Sequence, residues 1–217
     1  MAIDFYYGSG SPFAWRVWLA LEHKALPYEL KVMSFDSGDL EKPEFLAINP
    51  RHRVPTIVDQ GFALYESGAI VEYLEDKYPS SGQRLFPADV TQRATARRLV
   101  SEVSSYVGAA LEPLLQEVLF TKVEEFNAEA IAEGRKGFAD ELAFFERYAP
   151  SAGFFAGGAG AVDFTLYPYL ALALRMDRKK ADLDVRGAIP PKITAWMKRV
   201  EQLPWFEKTI PPHWKKK

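Results

Sequence analysis

Cysteine is absent from the 217 residues. That removes disulfides, thiolate metal sites and a cysteine nucleophile. Histidine is scarce: His23, His52 and His213 are the only three. They are scattered and lack the spacing of a ligand set, so no metal is expected. No stretch approaches about eighteen uninterrupted apolar residues, so no membrane span is expected. The opening Met1-Ala2-Ile3-Asp4 has no basic segment leading into a long apolar one. No signal peptide is therefore expected, and a soluble cytoplasmic protein is the default. An excess of one charge is also missing, since 27 basic and 29 acidic residues give a net charge of −2. No global field draws the chain toward nucleic acid or an anionic membrane. The terminal Lys215-Lys216-Lys217 is the only basic run and reads as a solvated tail end.

Apolar residues make up 48% of the chain, enough for a full core. Ile3-Asp4-Phe5-Tyr6-Tyr7 is rich in strand formers and stops at Gly8-Ser9-Gly10. Ser11-Pro12 then reads as an N-cap followed by Pro at the first helical position, opening a helix to about residue 24. Residues 28–33 alternate as a second strand, so this β-α-β unit predicts two parallel strands. A short helix over 42–47 ends at Asn49-Pro50. Val54-Pro55-Thr56-Ile57-Val58-Asp59 and Phe62-Ala63-Leu64-Tyr65 flank the turn pair Gln60-Gly61, which predicts an antiparallel hairpin. Ser67 caps a helix ending near Tyr78-Pro79. The order is βαβ, then α, then ββα: one small α/β domain over 1–79, with a linker over 80–87.

From residue 88 to 217 the pattern is helical. Long helices are expected over 89–121 and 123–148, a Gly/Ala-rich loop over 153–160, and further helices over 163–176 and 191–201. No internal repeat is visible.

Three segments carry a resemblance to a family. Asn49-Pro50-Arg51-His52-Arg53-Val54-Pro55-Thr56-Ile57 is similar to a stretch of the cytosolic glutathione transferases. So is Tyr65-Glu66-Ser67-Gly68-Ala69-Ile70-Val71-Glu72-Tyr73-Leu74. Ser11-Pro12-Phe13-Ala14-Trp15-Arg16-Val17 resembles the start of their first helix in the serine-type classes, the zeta-, theta-, phi- and tau-like ones. The segments come in the family's order and spacing. The resemblance implies a thioredoxin-like N-terminal domain, an all-α C-terminal domain and a homodimer. It also implies glutathione as co-substrate, with no metal.

Under that resemblance each position has a physical role. Val54, before a Pro55 whose peptide bond is cis in the family, would pair its backbone with the cysteinyl part of glutathione. Glu66 and Ser67 open a helix whose N–H groups and dipole suit the γ-glutamyl carboxylate, and Glu66 can take the α-amine. Arg53 could pair the glycyl carboxylate. Each residue also has a plain alternative: Ser67 as an N-cap, Glu66 as helix-start charge, Val54-Pro55 as the beginning of a strand, and Arg53 as part of a solvated loop.

A free thiol of pKa about 8.5 is only about 3% thiolate near pH 7, and lowering it by about two units takes about 2.7 kcal/mol. A hydroxyl donor beside a helix N-terminus can supply that order. Ser11 is the first candidate, by its offset from Arg16. Ser9 in the same turn and Tyr7 at the end of the first strand are the alternatives. With no cysteine, the cysteine-type classes and their mixed-disulfide chemistry are excluded. The second substrate, a small hydrophobic electrophile, is expected in an apolar cleft between domains. Phe13 and Tyr106 are its candidate linings, with Phe35, Phe120 and Trp214 behind; ordinary core packing is their alternative. Asp163 is preceded at the N-cap by Gly160, which offers no side-chain oxygen, so a local stability deficit is expected. The functional reading is a transferase of alkyl or aryl groups. Its rival is a non-catalytic relative that binds a protein partner or carries an apolar ligand.

Overall fold

Period-two burial fixes the sheet. In β1 (Ile3–Gly8) the side chains of Ile3, Phe5 and Tyr7 are buried, while Asp4 and Tyr6 between them are half-buried. The first set faces α1 (Pro12–His23), where the Tyr7 ring meets Trp18 edge-on at 4.8 Å. Tyr6 points to the opposite face and meets Phe45, with ring centroids 5.7 Å apart. Phe45 belongs to α2 (Pro43–Leu46), so helices cover both faces of the sheet. The computed structural model describes residues 2–215, apart from the side chain of Ala181; Lys216 and Lys217 of the basic tail lie outside the described residues.

β2 (Tyr28–Met33) runs parallel to β1, from Ile3 opposite Tyr28 to Gly8 opposite Met33. β3 (Thr56–Asp59) is antiparallel to β1 and to β4 (Phe62–Tyr65), giving the sheet order β2-β1-β3-β4. Gln60 and Gly61 both take positive φ, 53° and 86°, as a tight two-residue hairpin turn requires. α3 (Ser67–Lys77) follows and packs on α1. The βαβ, α, ββα order is the thioredoxin-like arrangement expected. Inside it, Lys24, the C-cap of α1, is fully buried and its Nζ lies 2.9 Å from Glu75 Oε2 of α3. The same carboxylate oxygen accepts the Leu85 N–H at 3.0 Å, tying the connecting segment to the helix pair.

The second compact unit spans residues 88–202. Its first helix is continuous from α4 (Val90–Glu102) through α5 (Gly108–Leu115), with π-helical turns at Val103–Val107 and Gln116–Phe120. α6 (Ala128–Phe145) packs along α5, and α7 (Ala161–Met176) against α4. Every residue of α7 from Ala161 to Leu170 is buried, which makes it the core helix of this unit. α8 (Val185–Ala188) and α9 (Pro191–Glu201) complete it.

The tail, residues 203–215, groups by contact with residues 2–87 rather than with 88–202. The sequence pattern, in contrast, placed it in the helical domain. The physical reason is Trp15 of α1. Its Nε1 donates to Thr209 Oγ1 at 3.0 Å, and its ring meets Phe206 at 6.1 Å and Trp214 at 5.3 Å. Phe206 and Thr209 lie in α10 (Phe206–Thr209), and Trp214 in α11 (Pro212–Lys215).

Candidate functional site

Register brings the three motif segments to one end of the sheet. Tyr6 pairs with Thr56, and Thr56 pairs with Tyr65. Because β3 runs opposite to β1 and β4, the residues just beyond this row emerge together. They are Gly8 and its turn, Val54-Pro55, and Glu66-Ser67. A Cβ built on Gly8 would lie 2.8 Å from Val54 Cγ2 and 2.5 Å from the Phe35 ring. Only glycine permits those two side chains to close on the end of β1.

The Val54–Pro55 peptide bond is cis. Both residues precede the ladder, which begins at Thr56. The loop before them is held by Asn49, only 1% exposed. Asn49 Nδ2 donates to the Arg53 carbonyl at 2.7 Å and to Thr56 Oγ1 at 2.9 Å, and its Oδ1 accepts the Arg51 N–H at 2.9 Å. Arg53 itself is exposed on that loop, beside His52, whose ring bonds Glu41 at 2.7 Å.

Glu66 occupies the N-cap position of α3 with φ 69° and ψ 106°. A non-glycine residue held there costs about 1–3 kcal/mol, a cost that clusters at ligand sites. Its side chain makes no cap hydrogen bond to the first N–H groups of α3. Ser67 is buried and its Oγ accepts from Arg16 Nη1 at 3.2 Å. Since that bond uses a lone pair, the hydroxyl proton of Ser67 remains to donate. Arg16, 4% exposed on α1, therefore joins the first and third segments.

The hydroxyl candidates differ in environment. Ser11 is the N-cap of α1, half-buried, and its Oγ accepts the Ala14 N–H at 3.2 Å. Ser9 Oγ lies 2.6 Å from His213 Nδ1. Tyr7 is fully buried, and burial, the largest influence on it, pushes its phenol above the ordinary range.

Of the candidate electrophile linings, Phe35 stands at the turn beside Gly8, and Trp214 approaches Gly10. Phe13 is in the first turn of α1 and 45% exposed. Tyr106 and Phe120 belong to the other unit, one on each π-helical turn, and both are exposed. Among the described residues no group of three or more His, Asp or Glu side chains could hold a metal ion, and no helix is long and apolar enough to cross a membrane.

Three contributors escaped the sequence reading. Asn49 registered as a helix stop and as the first residue of a family-like stretch, Arg16 only as a spacing mark, and His213 only as one of three scattered histidines. The offset from Asn49 to Thr56 was the one available signal.

Comparisons with known proteins bear on the family and the fold. The domain family described as "Glutathione S-transferase, N-terminal domain" matches residues 10–77. A probable glutathione S-transferase of Oryza sativa subsp. japonica is 33% identical over 196 residues, covering 87% of this chain and 80% of the relative. The crystal structure of a glutathione S-transferase from the Antarctic clam Laternula elliptica superposes with a TM-score of 0.83 at 30% identity, covering 100% of this chain and 95% of that one. A glutathione transferase from Burkholderia graminis, solved with two glutathione molecules bound per subunit, shares the fold at a TM-score of 0.83 and 23% identity, covering 100% of this chain and 90% of that one. The chain belongs to the glutathione S-transferase family.

Proposed function

We propose that the protein binds glutathione at this end of the sheet and activates its thiolate for attack on a small hydrophobic electrophile. The carrying observation is the state of Ser11. Its Oγ takes the Ala14 N–H as acceptor, which leaves its own proton to donate to a sulfur near the N-terminus of α1. Ser9 is engaged by His213, and Tyr7 is sealed in the core, so Ser11 is the preferred donor. Val54 supplies backbone for the cysteinyl part. The open N-terminus of α3, with Ser67 and Glu66, takes the γ-glutamyl end, and Arg53 the glycyl carboxylate. The neighbour of Burkholderia graminis, with glutathione bound, supports the reading by fold. Phe13, Phe35 and Trp214 are assigned to the electrophile. A cytoplasmic homodimer belongs to the same proposal.

The test is binding to glutathione, followed by the ultraviolet thiolate band of the bound tripeptide against pH. No binding would sink the proposal. Binding without a lowered thiol pKa would favour the non-catalytic relative. In Ser11→Ala the thiol pKa is expected to rise; an unchanged value would pass the role to Ser9 or Tyr7.

A further inference from the structure

The tail delivers a histidine to the serine turn. We propose that His213 is a positioning residue for the thiolate site: through Ser9 it fixes the Gly8–Ser11 turn. This rests on the glutathione-binding role proposed above.

Three observations carry it. The first is the bond itself. His213 Nδ1 lies 2.6 Å from Ser9 Oγ, across 204 residues of sequence. Whichever partner donates, the bond ties the Ser9 side chain, and with it the turn, to the imidazole. The second is the fit of the turn. A Cβ built on Gly10 would lie 3.0 Å from His213 Cε1, 3.4 Å from its Nε2 and 3.7 Å from Trp214 Nε1, and Gly10 has φ 92°. The ring therefore lies over the backbone between the two serines, in a place that a side chain at position 10 would contest. The third is the anchoring of the tail. Trp214 meets the buried Trp15 ring at 5.3 Å and 89°, and Trp15 Nε1 holds Thr209. Trp205 meets His23 at 5.8 Å. A four-residue helix in water is unstable alone, so α11 keeps its place through these contacts. His213 is thus presented to Ser9 from a fixed base.

The consequence is geometric. Ser11 donates its amide N–H to the Gly8 carbonyl at 3.1 Å, so its position depends on the turn. A turn freed from His213 lets Ser9 rotate and lets the Ser11 hydroxyl lose its line to the sulfur. A hydroxyl displaced by about 1 Å loses much of an electrostatic contribution that depends on prior alignment.

The experiment uses the full chain with glutathione and a chromogenic aryl chloride. His213→Ala is expected to raise the thiol pKa of bound glutathione by about 0.5 to 1 unit and to lower kcat about five- to tenfold, with KM for glutathione within about twofold. His213→Asn, whose amide can still meet Ser9, is expected to recover most of the loss. Ser9→Ala should reproduce His213→Ala, and the double variant should add nothing further. Lys215→Ala, on the same short helix, serves as the control for mere disturbance of the tail and should match the wild type. An unchanged thiol pKa in His213→Ala, no recovery in His213→Asn, or additive effects of the Ser9 and His213 substitutions would each overturn the assignment. A wild type that lowers the thiol pKa beside an indistinguishable His213→Ala defeats this inference alone. A wild type that binds no glutathione defeats the functional proposal and this one with it.

Discussion

Asn49→Ala separates the order of the binding loop from the identity of its binding residues. Asn49 touches no proposed ligand atom, yet its side chain makes three hydrogen bonds, to the Arg53 carbonyl, Thr56 Oγ1 and the Arg51 N–H. At about 1 kcal/mol net for each, removal costs about 3 kcal/mol. Thr56 is fully buried and its hydroxyl still reaches the Arg53 carbonyl at 3.3 Å, so one of the orphaned groups is partly compensated and a loss of about 2–3 kcal/mol is expected. The larger consequence concerns binding. Without the clamp, the loop carrying Arg53 and Val54 must be ordered by the ligand, and fixing two backbone residues takes about 2–4 kcal/mol. Even half of that is about a tenfold loss of glutathione affinity. Urea unfolding followed by far-ultraviolet circular dichroism gives the first number, and isothermal titration with glutathione the second. His52→Ala on the same loop, with only an exposed bond to Glu41, should cost less than about 0.5 kcal/mol. If Asn49→Ala loses stability but binds glutathione as tightly as the wild type, the loop's order is set elsewhere and the reasoning fails.

Glu75→Ala leaves the fully buried Lys24 ammonium and the Leu85 N–H without this partner, and an unfolding free energy lower by about 3–5 kcal/mol is expected in urea titrations; a loss under about 1 kcal/mol would show that water reaches the pair. Gly160→Ser restores a side-chain oxygen at a backbone of φ −175°, which any residue adopts, so a gain of a few tenths of a kcal/mol should appear in the same titration; no gain counts against the cap deficit. Burial pushes the Asp163 carboxyl up to about 6, despite hydrogen bonds from Trp196 and the backbone of Phe155 and Gly160. Its folded pKa lies above its unfolded value of about 3.9, so its contribution is full below about pH 4 and is lost as pH rises through about 6. Relative to Asp163→Asn, the wild type should therefore lose about 3 kcal/mol between pH 4 and pH 7, and a flat difference would refute a raised pKa.

The sheet was legible because its signals are local. Alternation in β1, the Gln60-Gly61 turn and the Ser11-Pro12 helix start each need only a few neighbouring residues, and all three stand in the structure where the pattern put them. The π-helical turns were not legible. Over residues 89–121 the apolar spacing suits one long helix, and a turn widened by one residue at 103–107 or 116–120 leaves that spacing readable as α. The tail was illegible for a different reason. α10 and α11 have four residues each, too few for a period, and their place depends on Trp15, 194 residues upstream of Thr209. Arg16 escaped because a long cation is read as exposed by default, whereas its burial follows from α1 packing on α3 and from the Ser67 oxygen that receives it.

Asp163 shows how far a local rule reaches. The capping rule weighs Gly160 and Asp163 as a reciprocal pair and, with the side-chain oxygen missing, reads a weakened helix start. Half of the pair is in place: Asp163 Oδ2 accepts the Gly160 N–H at 3.0 Å. The other carboxylate oxygen accepts Trp196 Nε1 at 2.6 Å and the Phe155 N–H at 3.3 Å. One side chain thus joins the start of α7 to α9 and to the loop before it. Its removal would strand a fully buried indole N–H along with the Gly160 and Phe155 amides, at about 1–3 kcal/mol for each group left unsatisfied. The absent serine is therefore the smaller matter. Asp163→Ala should cost several times what Gly160→Ser restores, and a comparable effect of the two would mean that the carboxylate acts as a cap and not as a tie within this unit.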